Sequence, residues 1–113
     1  MHELSIADAL ITQCERLAKE HGASAVDSVE VEIGRLSGVE AHYLQSAFEA
    51  WREGTICAQA ELIVRTGEVE AQCRACGESS TLAEFEFVCK RCGGNDLRVT
   101  RGEDLLLLRV GMV

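Results

Sequence analysis

A chain of 113 residues is long enough for one domain, or one domain with a small appended module, and leaves little core to spare. Its 19 acidic against 11 basic residues give a net charge of −8, and the basic residues are scattered, which disfavours the basic stripe a nucleic-acid partner needs. No apolar run approaches the ~20 residues of a membrane span, and Glu3 and Asp8 interrupt what would be the apolar part of a secretory leader. A cytoplasmic protein with neither membrane nor nucleic acid as partner is expected.

Residues 4–21 carry Ala7, Leu10, Ile11, Cys14, Leu17 and Ala18 at helical spacing, which predicts an amphipathic helix. Ser5 and Asp8 stand at capping-box spacing at its start, and Gly22 is placed to end it. Next, SVEVEIG alternates Val29, Val31 and Ile33 against Glu30 and Glu32, the pattern of a strand with one wet face. A second helix is expected behind Ser37 and Glu40, again an S-x-x-E cap, with Leu44, Ala47, Phe48 and Trp51 as its buried stripe and Gly54 near its end. AELIVRT reads as a second strand. After a cysteine-rich stretch, DLLLLRV reads as a third, buried on both faces or central in its sheet. The expected fold is α/β, two helices packed on a small, about three-stranded sheet with an inserted four-cysteine module. The body would comprise residues 1–69 and 97–113, and the module residues 70–96.

CRACG and CKRCG place Cys73, Cys76, Cys89 and Cys92 as two C-x-x-C pairs, each followed by glycine (Gly77, Gly93). Two residues between thiols let one tight turn aim both sulfurs at one ion, and four sulfurs satisfy tetrahedral zinc at ~2.3 Å. Disulfides are disfavoured in a cytoplasmic chain, and a redox C-x-x-C does not need a matched second pair. Rubredoxin-like iron is the remaining alternative. With every position taken by sulfur, such a zinc is structural, and Arg74, Lys90 and Arg91 stand ready to offset its negative charge. Cys14 and Cys57 lie outside the pattern and read as core packing.

The amino terminus raises a second question. Met1 and His2 offer an α-amine, an amide nitrogen and an imidazole Nδ1 in small fused rings, and Glu3 can add its own backbone nitrogen. Planar nitrogen donors suit Ni(II) or Cu(II) better than zinc. Against this stands the plain reading of a histidine on a tolerant chain end. His21 and His42 show no paired ligand spacing and read as surface residues.

MHELSIA, EIGRLSGVEAHYLQSAFE and the paired CRACG…CKRCG together resemble the HypA/HybF family of nickel metallochaperones, in order and over essentially the whole length. The resemblance implies nickel held at Met1, His2 and Glu3, with zinc in the four-cysteine ribbon. It also implies a HypB-type GTPase and the [NiFe]-hydrogenase large subunit as partners, the chain itself being a monomer or homodimer. A further acidic position of the family falls on Glu40, which the capping box also explains. CKRC lacks the proline often seen in the second knuckle of such proteins, and no histidine follows His42, so the ribbon has no imidazole to lend to nickel. The chain shows no P-loop, H-E-x-x-H or G-x-S-x-G, and an enzyme is not expected. The alternative function is a zinc-ribbon adaptor or regulatory protein without a nickel role.

Overall fold

The computed structural model describes residues 2–84 and 86–113. In chain order these form α1 (His2–Glu20), β1 (Val26–Gly34), α2 (Ala41–Trp51), β2 (Glu61–Gly67), β3 (Val69–Cys73), β4 (Ser79–Leu82), β5 (Leu97–Arg101) and β6 (Leu105–Met112). The strands make two three-stranded sheets, ordered β2-β1-β6 and β4-β3-β5. The chain divides into two compact units: Met1–Glu32, Val39–Arg65 and Leu106–Val113 form the first, Ile33–Gly38 and Thr66–Leu105 the second.

In the first unit, α1 buries Ala7, Leu10, Ile11, Cys14 and Ala18, and α2 buries Leu44, Ala47 and Phe48. Both helices present the stripes that their periodicity requires, and they pack on each other. Val26, Val29, Val31 and Leu62 complete the core from the strands. Cys14 and Cys57 are both fully buried, each filling this core as a small apolar side chain. At its far end α1 closes through Ala23 N–H donating to Ala18 O at 2.8 Å, just past Gly22.

Several local expectations are corrected. The first helix begins at His2, so Ser5 is an exposed interior residue and not a cap. The second begins at Ala41, and Ser37 does not cap it. Trp51 is 51% exposed where a buried position was expected, because it closes the last turn of α2 beside Leu4 and Asp8 of the polar-edged start of α1. The four leucines lie on β6, an edge strand, with Leu106 and Leu108 exposed. The centre goes to β1, whose Val29 and Val31 are fully buried. Glu32 is buried too, so the outer face of β1 is less wet than its alternation suggested, while Glu30 receives the Arg65 guanidinium.

The second unit is built on β3, which pairs antiparallel with β4 (Val69 opposite Leu82) and with β5 (Ala71 opposite Val99). Val69, Ala71 and Leu82, with Leu97 and Val99 against them, are its small apolar core. Two glycines make its chain crossing possible. Gly34 passes so close to Gly102 that a Cβ would stand 2.3 Å from the Gly102 carbonyl oxygen, while Gly102 itself has φ +109°. The crossing is held by Leu36 N–H to Gly102 O at 2.8 Å and Gly34 N–H to Asp104 O at 3.0 Å. Gly34→Ala should therefore destabilise by about 1–3 kcal/mol, because the obstacle is backbone and cannot rotate away. A shifted denaturant midpoint at unchanged m-value is the expected readout, and an unchanged midpoint would refute the clash.

Candidate functional site

The four predicted metal-binding cysteines come together. Cys73 closes β3 and Cys76 follows in the turn; Cys89 and Cys92 sit in a second turn of the same construction. In each turn the first cysteine's N–H donates five residues ahead: Cys73 to Glu78 O at 2.9 Å, and Cys89 to Gly94 O at 2.7 Å. Each following glycine donates back to its cysteine, Gly77 to Cys73 O and Gly93 to Cys89 O, both at 2.9 Å. Both glycines have positive φ (79° and 75°), the conformation that closes the loop. The repeated C-x-x-C-G thus folds twice into one shape.

All four Sγ atoms lie within 4.8 Å of one another, and Cys73–Cys92 and Cys76–Cys89 are 3.6 Å apart. Sulfurs at tetrahedral corners ~2.3 Å from a central ion stand about 3.8 Å apart, so the donor set fits zinc. Backbone N–H groups of Cys76 and Ala75 hold the Cys73 thiol below its usual pKa. Those of Cys92 and Arg91 hold Cys89 at about 6. The N–H of Glu78 works in the same direction on Cys76, but desolvation and the neighbouring thiols push it up to about 11. Backbone N–H groups, with neighbouring thiols, thus shift Cys73 and Cys89 toward the thiolate, and a divalent ion would deprotonate the others. Arg74 and Arg91 reach acids rather than standing free, with Asp96 at 3.9 Å and Glu78 at 3.4 Å.

The amino-terminal residues are arranged differently. Met1 lies outside the described residues. His2 opens α1 with its side chain exposed, and its Nε2 is 3.6 Å from Glu3 Oε2. Glu3 is buried, on the same stripe as Ala7 one turn later. Its Oε2 accepts the N–H of Glu40 at 3.0 Å. Glu40 is the N-cap residue of α2, in extended backbone, and its own side chain makes no capping bond; that carboxylate is exposed. In a capping box the acceptor for the N-cap N–H is an acid at the third helical position. That position is Tyr43 here, and Glu3 of α1 supplies the missing carboxylate from another helix. The sequence held one signal for this bond, an acid at position 3 in phase with the apolar stripe of Ala7 and Leu10.

The Glu40 N–H holds the Glu3 carboxyl below the ordinary glutamate range, with further help from the nearby His2. The stabilisation is fully present above the unfolded-state pKa of about 4.3 and is lost as pH falls through the lower folded value. Glu3→Ala should therefore lower the melting temperature at pH 7 by about 4 °C or more, with the gap to the native chain closing below pH ~4. A gap that stays constant from pH 7 to pH 3 would rule out the ionised bond.

Among the described residues the cysteine quartet is the only group of three or more histidine, cysteine or acidic side chains gathered at metal-ligand distances. His2, Glu3 and Glu40 are not collected into such a side-chain cluster. His21 directs Nδ1 at Leu17 O, 2.9 Å away at the end of α1, and His42 is exposed beside Tyr43.

A closed four-sulfur centre in one unit and a small two-helix body in the other define a metal-binding protein whose ribbon centre, once filled, has no open position for chemistry. The family model described as hydrogenase/urease nickel incorporation, metallochaperone, HypA matches residues 1–112. The chain belongs to this HypA family of maturation factors and is not an enzyme. It is 40% identical to a hydrogenase maturation factor HypA of Aquifex aeolicus over 95% of this chain and 93% of the relative. With that of Campylobacter jejuni it shares 39% identity over 99% of each. The fold is similar to the solution structure of the Ni metallochaperone HypA from Helicobacter pylori, with TM-score 0.77 and 31% identity over 98% of this chain and 97% of that one. A second HypA solution structure matches with TM-score 0.80 and 32% identity over 100% and 97% of the two chains. No helix among the described residues is long and apolar enough to cross a membrane.

Proposed function

We propose that the chain holds Ni(II) at its amino terminus and delivers it for [NiFe]-hydrogenase maturation, with zinc as a structural ion in the ribbon. The observation that carries this reading is the placement of His2 and Glu3 in the first turn of a helix whose start is tied to α2 by the Glu3–Glu40 bond. A helix start leaves its first N–H groups without helical partners, so backbone nitrogens there remain available as donors. The Met1 amine, the His2 amide and Nδ1, and the Glu3 nitrogen would then supply nickel, with Glu40 as a further acidic donor. Residues 1–69 and 97–113 form the nickel-binding part in this reading, and residues 70–96 the zinc-binding part. Cys73, Cys76, Cys89 and Cys92 would hold zinc, which supplies no reactivity there and fixes the two turns.

Nickel is cargo, so release matters as much as binding. The donors bind deprotonated, and acid or a partner's ligands compete for the metal. A HypB-type GTPase and the hydrogenase large subunit are the proposed partners, in the cytoplasm, since the chain carries no P-loop of its own. Nickel titration of the native chain against one with two residues added ahead of Met1 tests the site. Extension keeps every side chain but converts the amine to an amide, and equal affinity would end the chelate assignment.

A further inference from the structure

We propose that the groove between α1 and α2 receives a basic amphipathic helix from a partner protein. Two adjoining clefts of about 520 and 440 Å³ share Leu4 as a common wall and run along α2 from Glu40 to Trp51. The span along α2 is eleven steps of ~1.5 Å, roughly three helical turns. Ala47 and Ala50 line it, and side chains that small let a helix backbone approach closely. Leu4, Tyr43 and Trp51 flank it, at 42%, 60% and 51% exposure. Aromatic residues flanking an apolar groove are the anchors that helix-in-groove recognition uses.

Charge selects the occupant. Acids stand at both ends, Glu3 and Glu40 at one and Asp8 at the other, and no lysine or arginine lines either cleft. In a chain of net charge −8 this surface attracts a helix with basic residues flanking its apolar face. The same charge works against a second copy, whose groove would bring like acids together. The groove shares Glu3 and Glu40 with the proposed nickel site, but its apolar contacts lie on Leu4, Tyr43 and Trp51, which that site does not use.

Trp51 is the single tryptophan of the chain, so its fluorescence reports occupancy directly. The probes are synthetic 14-residue peptides offered to the full-length, zinc-loaded protein at ~0.15 M salt, where surface charge alone is largely screened. One places leucine and lysine at helical spacing, one scrambles the same residues, and one replaces lysine by glutamate. The patterned lysine peptide should bind saturably with a blue shift. Scrambling, charge reversal, or Tyr43→Ala in the protein should each weaken it by roughly tenfold or more. Leu4→Lys, also at an exposed position, should do the same and guards against a folding defect in the first variant. Equal binding of the scrambled peptide, or undiminished binding to both variants, would overturn the proposal. So would sedimentation showing that Tyr43→Ala dissociates a native dimer, since the groove would then be filled by a second copy. Nickel titration of Tyr43→Ala should match the native chain, which keeps a failure here distinct from a failure of the amino-terminal site.

Discussion

His2→Ala should weaken nickel binding by more than the ~10–100-fold that losing an outer-shell partner costs, because it removes an imidazole donor and the chelate ring that the imidazole closes. The side chain is exposed, so the substitution should leave the melting temperature and zinc content unchanged. That combination separates a ligand from a structural residue. Glu3→Ala should show the opposite balance, with a clear loss of stability, because the Glu3 carboxylate is engaged with the Glu40 N–H. Glu40→Gln tests the remaining donor. Its side chain is exposed and caps nothing, so any loss of nickel affinity would come from the metal and not from an unravelled helix. The measurements are nickel titration by calorimetry or competition with a chromophoric chelator, alongside thermal melts. His2→Ala binding nickel as tightly as the native chain would leave the amino terminus without a role.

Zinc removal should have the second large effect, confined to one part of the molecule. The β3–β5 sheet rests on a core of Val69, Ala71 and Leu82, and a buried large apolar side chain contributes only about 1.5–3 kcal/mol. Structural zinc contributes on the order of 10–16 kcal/mol in small zinc-binding peptides, so the proposed ion would decide whether this sheet forms. Chelation, or Cys73→Ser with Cys89→Ser, should abolish amide-exchange protection across β3, β4 and β5. Protection in α1 and α2 should persist, because Leu10, Ile11, Leu44 and Phe48 form a core of their own. Nickel affinity measured on the same sample asks whether the two metals are coupled. Unchanged affinity would show that the ribbon does not set the amino-terminal site, while global loss of protection would show that the ribbon's stability cannot be separated from that of the helices.

Periodicity and spacing made much of the molecule legible. The stripes on α1 and α2 were readable because burial of one helix face demands a 3.6-residue period, and Ala7, Leu10, Ile11, Leu44 and Phe48 obey it. The cysteine quartet was readable because C-x-x-C-G encodes a whole turn within five residues, and its second copy supplies the rest. The unread parts depend on partners distant in the chain. Nothing near the leucines of β6 told that β1 would take the sheet centre and leave them at an edge. The strands β3, β4 and β5 are short, and only their pairing with one another makes them strands.

The sequence by itself determined the two amphipathic helices, the four-sulfur site and the likeness to a nickel-handling family, since each is written in local spacing. The tertiary structure alone decided how His2 and Glu3 are placed. Ser5 and Ser37 sit at plausible capping positions, yet the helices begin at His2 and behind Glu40, and Glu3 on one helix reaches the backbone of Glu40 on the other. A hydrogen bond across 37 residues has no sequence period. It exists because α1 and α2 pack side by side and a buried carboxylate must find a donor. The same packing leaves Tyr43 and Trp51 exposed along a groove, and orders the turn on which His2 stands.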